Sequence, residues 1–346
     1  MFSFYTTAQQ QKWDEIVKSF NQSDVYWLCG YTKAFELHGD GTPLLLYYDD
    51  GKTRGINVVM KRDISKCSYF KGKIEEGKYY DLSTPYGYGG WIIEGDDAEP
   101  LFFSYEKWCR ENNIISEFVR FHPIIKNQDQ ADKAYDVVPL GNTVAMDITS
   151  DEIIWTNITS KNRNMIRKAQ KNGIEIHIDN SPEIYETFKE IYNKTMDKDN
   201  ADKYYYFDHS FYESIRKDLS DNAHVFYATY ENKVIAASII LIENNRLNYH
   251  LSGSMREFSN LAPSNLLLYE AAKWGSNNGC KTFHLGGGVG SGEDSLFKFK
   301  RSFYREEELI NTFCIGKKIF DEQKYEELTL MREKIDNEKF FPKYRG

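Results

Sequence analysis

The chain has 346 residues, 41% of them hydrophobic, which is long enough for two ordinary domains and too long for one small module. Its 52 acidic residues outnumber 44 basic ones, giving a formal net charge of −8. Bulk charge therefore excludes general attraction to nucleic acid, and any polyanion must meet a local patch. Cys29, Cys67, Cys109, Cys280 and Cys314 are odd in number and scattered, with no C-x-x-C or Cys/His metal spacing, so they read as buried thiols in a reducing cytosol.

The first residues, MFSFYTTAQQQKWDEI, carry no basic segment followed by an apolar core, and no stretch approaches 18 apolar residues. No transmembrane segment is expected. The expected location is the cytoplasm, with peripheral contact at the inner face of the membrane left open.

LLLYYDDGKTRGINVVMK (44–61) reads as two β-prone strands joined at Asp50-Gly51. DLSTPYGYGGW (81–91) is a glycine-rich turn carrying Tyr86 and Tyr88. LFFSYEKWCRENNIISEFVRFH (101–122) reads as a helix and then a strand, in which Arg120 and His122 are polar residues among apolar ones. An unpaired charge there is costly, so the two are either a buried structural pair or part of an acceptor site with Tyr86 and Tyr88. In SDEIIWTNITSKNRNMIRKAQKNGIEIHI, Ser160 caps a helix ending at Gly173, with five basic residues and no acidic one. Arg163, Arg167 and Lys171 recur every four residues and share a face, either solvated or an anion site.

The second half repeats the order of the first. VFYATYENKVIAASIILI (225–242) is a hairpin turning at Glu231-Asn232; the strand RLNYHLSGS, the helix APSNLLLYEAAKWGSNN and the strand TFHLGGG follow. Both helices carry Lys-Trp (Lys107-Trp108, Lys273-Trp274), and both following strands hold Phe-His (Phe121-His122, Phe283-His284). The order strand, strand, strand, helix, strand is similar to an acetyltransferase-like sheet. The expected architecture is α/β (α+β), two tandem acetyltransferase-like domains with mixed sheets, over 1–150 and 151–346, the second receiving a Glu- and Lys-rich helix at 318–337 whose packing back on the first is left open.

HLGGGVGSGEDSLFKFKRSFY (284–304) is not a phosphate loop, because Gly292 is followed by Glu293 where that motif needs Lys. It lies too late in the chain for a dinucleotide fingerprint. The glycines read as a shaping turn that lets Glu293, Asp294 and Phe299-Lys300 face a donor. The rival reading is an amphipathic helix start with Leu296, Phe299 and Phe303 buried and the lysines solvated. No G-x-S-x-G and no H-E-x-x-H is present, so neither a nucleophilic triad nor a metal centre is expected.

NITSKNRNMIRKAQKNGIEI (157–176), DLSTPYGYGGW, FVRFHPI (118–124) and the stretch from 249 to 303 together resemble the FemABX group of non-ribosomal peptidyltransferases. The resemblance implies aminoacyl transfer from charged tRNA to a primary amine on a lipid- or nucleotide-linked cell-wall precursor, without a cofactor. It also implies that Phe299-Lys300 lies at the donor end, with Lys300 stabilising charge and Lys298 and Arg301 adding to its field. The long coiled-coil arm of some members has no heptad counterpart here. Two alternatives stand beside this reading. One is an acetyl-CoA-dependent N-acetyltransferase, although MREFSNLAPSN offers neither the glycines nor, at Pro263, the N–H that hold a pyrophosphate. The other is a non-catalytic scaffold with the same fold.

Overall fold

The computed structural model describes residues 1–335 and 337–346, and the chain divides into two compact units, 1–140 with 313–346, and 141–312. In the first unit the chain runs β1 (Phe2–Tyr5), α1 (Gln10–Lys18), α2 (Cys29–His38), β2 (Thr42–Asp49), β3 (Arg54–Asp63), β4 (Tyr80–Ser83), β5 (Ile92–Glu94), α3 (Glu99–Glu111) and β6 (Ile114–Arg120). β2 and β3 form the expected hairpin, in register from Thr42 opposite Lys61 to Asp49 opposite Arg54. The Asp50 carboxylate fixes its turn by accepting from the Lys52 and Thr53 amides at 2.9 and 2.8 Å, which pulls its pKa down to about 2. β3 pairs antiparallel with β4, and β4 pairs parallel with β6 across α3. α3 buries Leu101, Tyr105 and Cys109 at four-residue spacing on this sheet.

The second unit repeats that order. β7 (Asp136–Asp147) leads into it, followed by α4 (Asp151–Asn157), α5 (Ser160–Lys171), β8 (Glu175–Asp179), α6 (Pro182–Lys198), α7 (His209–Asp218), β9 (Ala223–Tyr230), β10 (Lys233–Glu243), β11 (Arg246–Ser254), α8 (Pro263–Asn277), β12 (Thr282–Gly286) and α9 (Ser295–Arg301). The strand order is β7-β12-β11-β10-β9-β8, parallel only between β11 and β12. The β9–β10 turn puts both Glu231 and Asn232 in left-handed backbone (φ 49° and 62°), the pairing that matches strand twist in a two-residue hairpin. Thr159, not Ser160, caps α5, its hydroxyl accepting from the Asn162 amide. The core gathers Val144, Met146, Ile166, Phe226, Ile240, Leu247, Leu267, Phe283 and Phe303.

The C-terminal segment departs from the expected division. β13 (Ile310–Ile319) pairs antiparallel with β6 from Ile315 opposite Arg120 to Ile319 opposite Ser116, and α10 (Glu322–Leu330) is far shorter than the helix expected over 318–337. Residue 336 of that expected span lies outside the described residues. Tyr325, Leu328 and Tyr344 bury against Ile64, Phe70 and Ile115 of the first unit, so the segment assigned by sequence to the second domain belongs with the first. Hydrophobic burial decides in favour of the packing on the first unit that the sequence left open, which alternating Glu and Lys around α10 could not settle.

A buried ionic cluster fastens the same segment. Asp81, fully buried in β4, accepts from Arg62 Nε at 2.6 Å, Arg345 Nε at 2.5 Å and the Tyr344 hydroxyl at 3.1 Å. Removing one partner of a buried pair strands the others, at a cost of about 3–5 kcal/mol. Asp81→Ala is therefore expected to lower unfolding free energy by that order in denaturant titration, with hydrogen-exchange protection lost first in 313–346. Protection unchanged there would refute the fastening role.

Candidate active site in the second unit

β11 and β12 are hydrogen-bonded in parallel over only three residue pairs, Arg246/Thr282, Leu247/Phe283 and Asn248/His284. β11 continues to Ser254 beyond the last of these pairs, so the ladder opens toward the C-terminal end of β12. A register shift at the same level sets Tyr249 opposite Ile240 and Leu251 opposite Ile239, leaving His250 as the extra residue. The bulge changes the alternation of side chains. Tyr249 and Ser252, three apart, come to one face, where the Ser238 and Ser252 hydroxyls bond at 3.0 Å and both approach the Tyr249 hydroxyl. Burial raises the Tyr249 pKa and lowers that of His250 to about 3, so both are neutral near pH 7.

The glycine run closes the open end. β12 ends at Gly286 with φ +79°, a turn that a side chain would strain. Gly288 is required by space instead, since a Cβ there would lie 2.1 Å from Gly292 O and 2.4 Å from Asp294 Oδ1. Asp294 holds the loop and the helix together, accepting from Phe297 N at 2.9 Å to cap α9 and from Val289 N at 3.2 Å. Glu293 is exposed, with Asn142 Nδ2 at 3.4 Å from its carboxylate.

Lys300 sits inside this frame. It is buried at 8% exposure, donates from Nζ to Gly287 O at 2.6 Å, and lies 5.9 Å from the Tyr249 ring centre. Burial pushes its pKa down to about 8, opposed in part by the Asp294 carboxylate. The face of α9 turned inward carries Phe297 and Lys300, with Phe303 and Tyr304 buried just past its end, whereas Leu296 is exposed and Phe299 half-buried. The solvated-lysine reading fails for Lys300 and holds for exposed Lys298.

The basic residues expected around the donor fall into two groups. Arg167 and Lys171 are exposed on α5, with Arg167 hydrogen-bonded to Asn164. Arg163 is half-buried and donates to the carbonyls of Trp155, Thr156 and Ile158 at the end of α4. Arg301 donates to the Tyr304 and Arg305 carbonyls and pairs with Glu307 at 2.6 Å. Arg163 and Arg301 therefore spend much of their hydrogen bonding on chain ends, which removes them from direct phosphate binding as sole partners. At the start of α8, Pro263 follows Ala262 in left-handed backbone, and the Asn265 side chain donates to Asn162 Oδ1 at 2.8 Å.

In the first unit, Tyr86, Tyr88 and Arg120 are half-buried. Arg120 donates to Gly87 O at 2.9 Å and stacks on Phe313 at 4.8 Å. His122 is fully buried with Nε2 3.3 Å from Asp24 Oδ2, and its Nδ1 accepts from the Ile124 and Ile125 amides at 3.2 Å. Those amides assign the proton to Nε2. His122 thus has no face for an acceptor and instead supports Tyr88, whose ring centre is 5.3 Å away. Sequence reading missed Asp24, whose partner lies 98 positions on, and also missed Tyr249 and His250, because a bulge has no fixed residue signature. Among the described residues no group of three His, Cys, Asp or Glu could hold a metal ion.

Each unit contributes mixed strands with a helix crossing between its parallel pair, which is the GNAT fold in tandem. Residues 159–301 match the family model described as an acetyltransferase (GNAT) domain. The whole chain has the fold of FemX, with a TM-score of 0.68 at 14% identity over 94% of this chain and 99% of that one. Similar too are L-PGS from Bacillus licheniformis (TM-score 0.56, 12% identity, 88% of this chain and 90% of that one) and the C-terminal domain of a putative lysylphosphatidylglycerol synthetase from Agrobacterium fabrum (TM-score 0.55, 12% identity, 90% and 92%). No curated protein sequence matches the chain.

The depressed pKa of Lys300 gives a linkage test. Between about 8 and its ordinary value of 10.5 the unfolded chain binds more protons than the folded one, so stability should rise with pH across that window. Relative to Lys300→Met, the native protein should gain unfolding free energy from pH 8 to 10.5 in parallel denaturant titrations. A flat difference would show that Lys300 is not desolvated. Gly288→Ala should destabilise by about 1–3 kcal/mol through the clash with Gly292 and Asp294, read as a fall in Tm.

Proposed function

We propose that the protein is an acyltransferase moving an aminoacyl group from aminoacyl-tRNA to a primary amine of a lipid- or nucleotide-linked cell-wall or surface-glycan precursor, working in the cytoplasm. The observation carrying this reading is the buried Lys300 ammonium, anchored by one N–H on Gly287 O where β11 and β12 part. Attack of an amine on the donor ester creates an oxyanion, and the two remaining N–H bonds of Lys300 are suited to meet it. Collapse then breaks the bond to the ribose oxygen, which takes up a proton equivalent to the one the attacking amine gives up as its nitrogen becomes the amide. Direct transfer asks only for alignment and oxyanion stabilisation, which fits a site without a nucleophilic triad.

Phe299, Lys298, Glu293 and Asp294 shape the donor side, with Arg163, Arg167, Lys171 and Arg301 as its basic surroundings. Within the first unit, Tyr86, Tyr88 and Arg120 are the residues proposed to bind the acceptor, and His122 positions Tyr88. The names of the lysylphosphatidylglycerol synthetases support an aminoacyl product. An acetyl-CoA donor is the second reading, favoured by the acetyltransferase family model over 159–301 and weakened by Pro263 at the start of α8, where a pyrophosphate would seek amides.

Purified protein given charged tRNA or acetyl-CoA with amine acceptors, and followed by mass spectrometry, separates the two. Transfer from charged tRNA that ribonuclease abolishes is expected, and Lys300→Ala should lower turnover by about 10²–10³. Because the protonated lysine is the active form, turnover should fall as pH rises through about 8, and Lys300→Arg should flatten that limb. Acetyl transfer indifferent to ribonuclease and to Lys300→Ala would reverse the assignment.

A further inference from the structure

Trp155, in the short helix α4, is half-buried at the meeting of α4, α5 and α8. Its ring lies 5.0 Å from the Arg167 guanidinium carbon, 6.0 Å from that of Arg163, and 5.2 Å from the ring of half-buried Tyr269 at a 59° tilt. Lys273 stands 5.5 Å from the Tyr269 ring. Arg163, by donating to the carbonyls of 155, 156 and 158, fixes the end of α4 and hence the backbone that carries Trp155. Packing alone would ask for an aliphatic residue or a covered ring here, and it does not ask for arginines on consecutive turns beside a partly open indole.

Charge decides the kind of partner. α5 contributes five basic and no acidic residues in a chain of net charge −8, although Asp151, Glu152 and Glu270 lie in the adjoining helices and limit the patch. The patch is also continuous with the catalytic helix, since Thr159 N and Oγ1 both donate to Ser302 O, two residues after Lys300. Arg163 lies about one helical turn, roughly 5 Å of rise, beyond that joint, and Arg167 one turn further. A strand with π-faced units and phosphates at each step, leading away from Lys300, meets both demands.

We propose that Trp155 and Tyr269, flanked by Arg167 and Lys273, form a stacking platform for an unpaired nucleotide of an RNA strand, here the 3′ strand of the donor. This rests on the aminoacyl-tRNA reading for its biological partner, but not for its binding chemistry. Aromatic faces take any base, and the arginine adds cation–π contact and phosphate neutralisation.

The test is fluorescence anisotropy of a labelled short single-stranded RNA with the intact protein. Trp155→Ala should weaken binding roughly tenfold while Trp155→Phe retains most of it, and Arg167→Gln should lower the slope of log affinity against log salt by about 0.7. Tyr269→Ser, at a half-buried position, should weaken binding too and serves if Trp155→Ala fails to fold. Unchanged affinity in Tyr269→Ser and in folded Trp155→Ala, or tighter binding of anionic-lipid vesicles than of RNA, would overturn the platform. Transfer assays keep the two readings apart. If transfer depends on Lys300 while RNA binding ignores Trp155 and Tyr269, only the platform falls; if RNA binds through Trp155 but no aminoacyl group moves, only the transferase reading falls.

Discussion

The hydrogen bond from Lys300 to Gly287 O depends on nearly everything around it. An ammonium in a low-dielectric site costs several kcal/mol unless it is met by acceptors and a nearby negative charge. Gly287 supplies the acceptor because the chain reverses at Gly286, and Asp294 supplies the charge because Gly288 leaves room for its carboxylate. The same carboxylate caps the helix on which Lys300 is carried. One acidic side chain therefore sets the loop, the helix and the charge state of the candidate catalytic group together. The glycines are spaced for that purpose, not for a nucleotide.

The bulge at His250 solves a related problem on the opposite wall. A regular strand would put Tyr249 on the face of Leu251 and Gly253, away from Ser252. One extra residue brings Tyr249, Ser252 and Ser238 together, each hydroxyl finding a partner within a buried setting. The surroundings of Lys300 are consequently polar but neutral, and its charge is compensated chiefly by Asp294. Such a lining suits a cation that must act on a transient oxyanion, because the Asp294 carboxylate is committed to the amides of Phe297 and Val289 and the Lys300 bond goes to a neutral carbonyl.

Much of the fold was legible because it rests on periodicity. The two hairpins, the Lys-Trp helices and the Phe-His strands gave the repeat, and the turn residues Asp50-Gly51 and Glu231-Asn232 were readable from local chemistry. The C-terminal segment was legible only as a helix whose packing stayed open. Its attachment depends on Asp81 meeting Arg345, 264 positions away, and on Tyr344 filling a core set by Ile64 and Phe70. Short-range pattern carries no trace of such a pairing. His122 shows the same limit: its polarity at the end of an apolar run, just past β6, was visible, but Asp24, which turns it from a contact residue into a buried support, was not.

Lys300 marks the boundary between the two kinds of information. As sequence, LFKFKRSF allows either a solvated lysine or a buried one, and ordinary amphipathicity favours Leu296, Phe299 and Phe303 as the inner face. The structure places Phe297, Lys300 and Phe303 inward instead, a face with a charge at its centre. A chain that buries Lys300 while Leu296, about one turn earlier, stays exposed has given up hydrophobic stabilisation at that point, and such local concessions are concentrated at sites of chemistry. Phe297 and Phe303 on either side keep the helix seated, so burial of the lysine is felt in its own protonation equilibrium. Desolvation pushes that equilibrium down to about 8, with Asp294 opposing part of the shift.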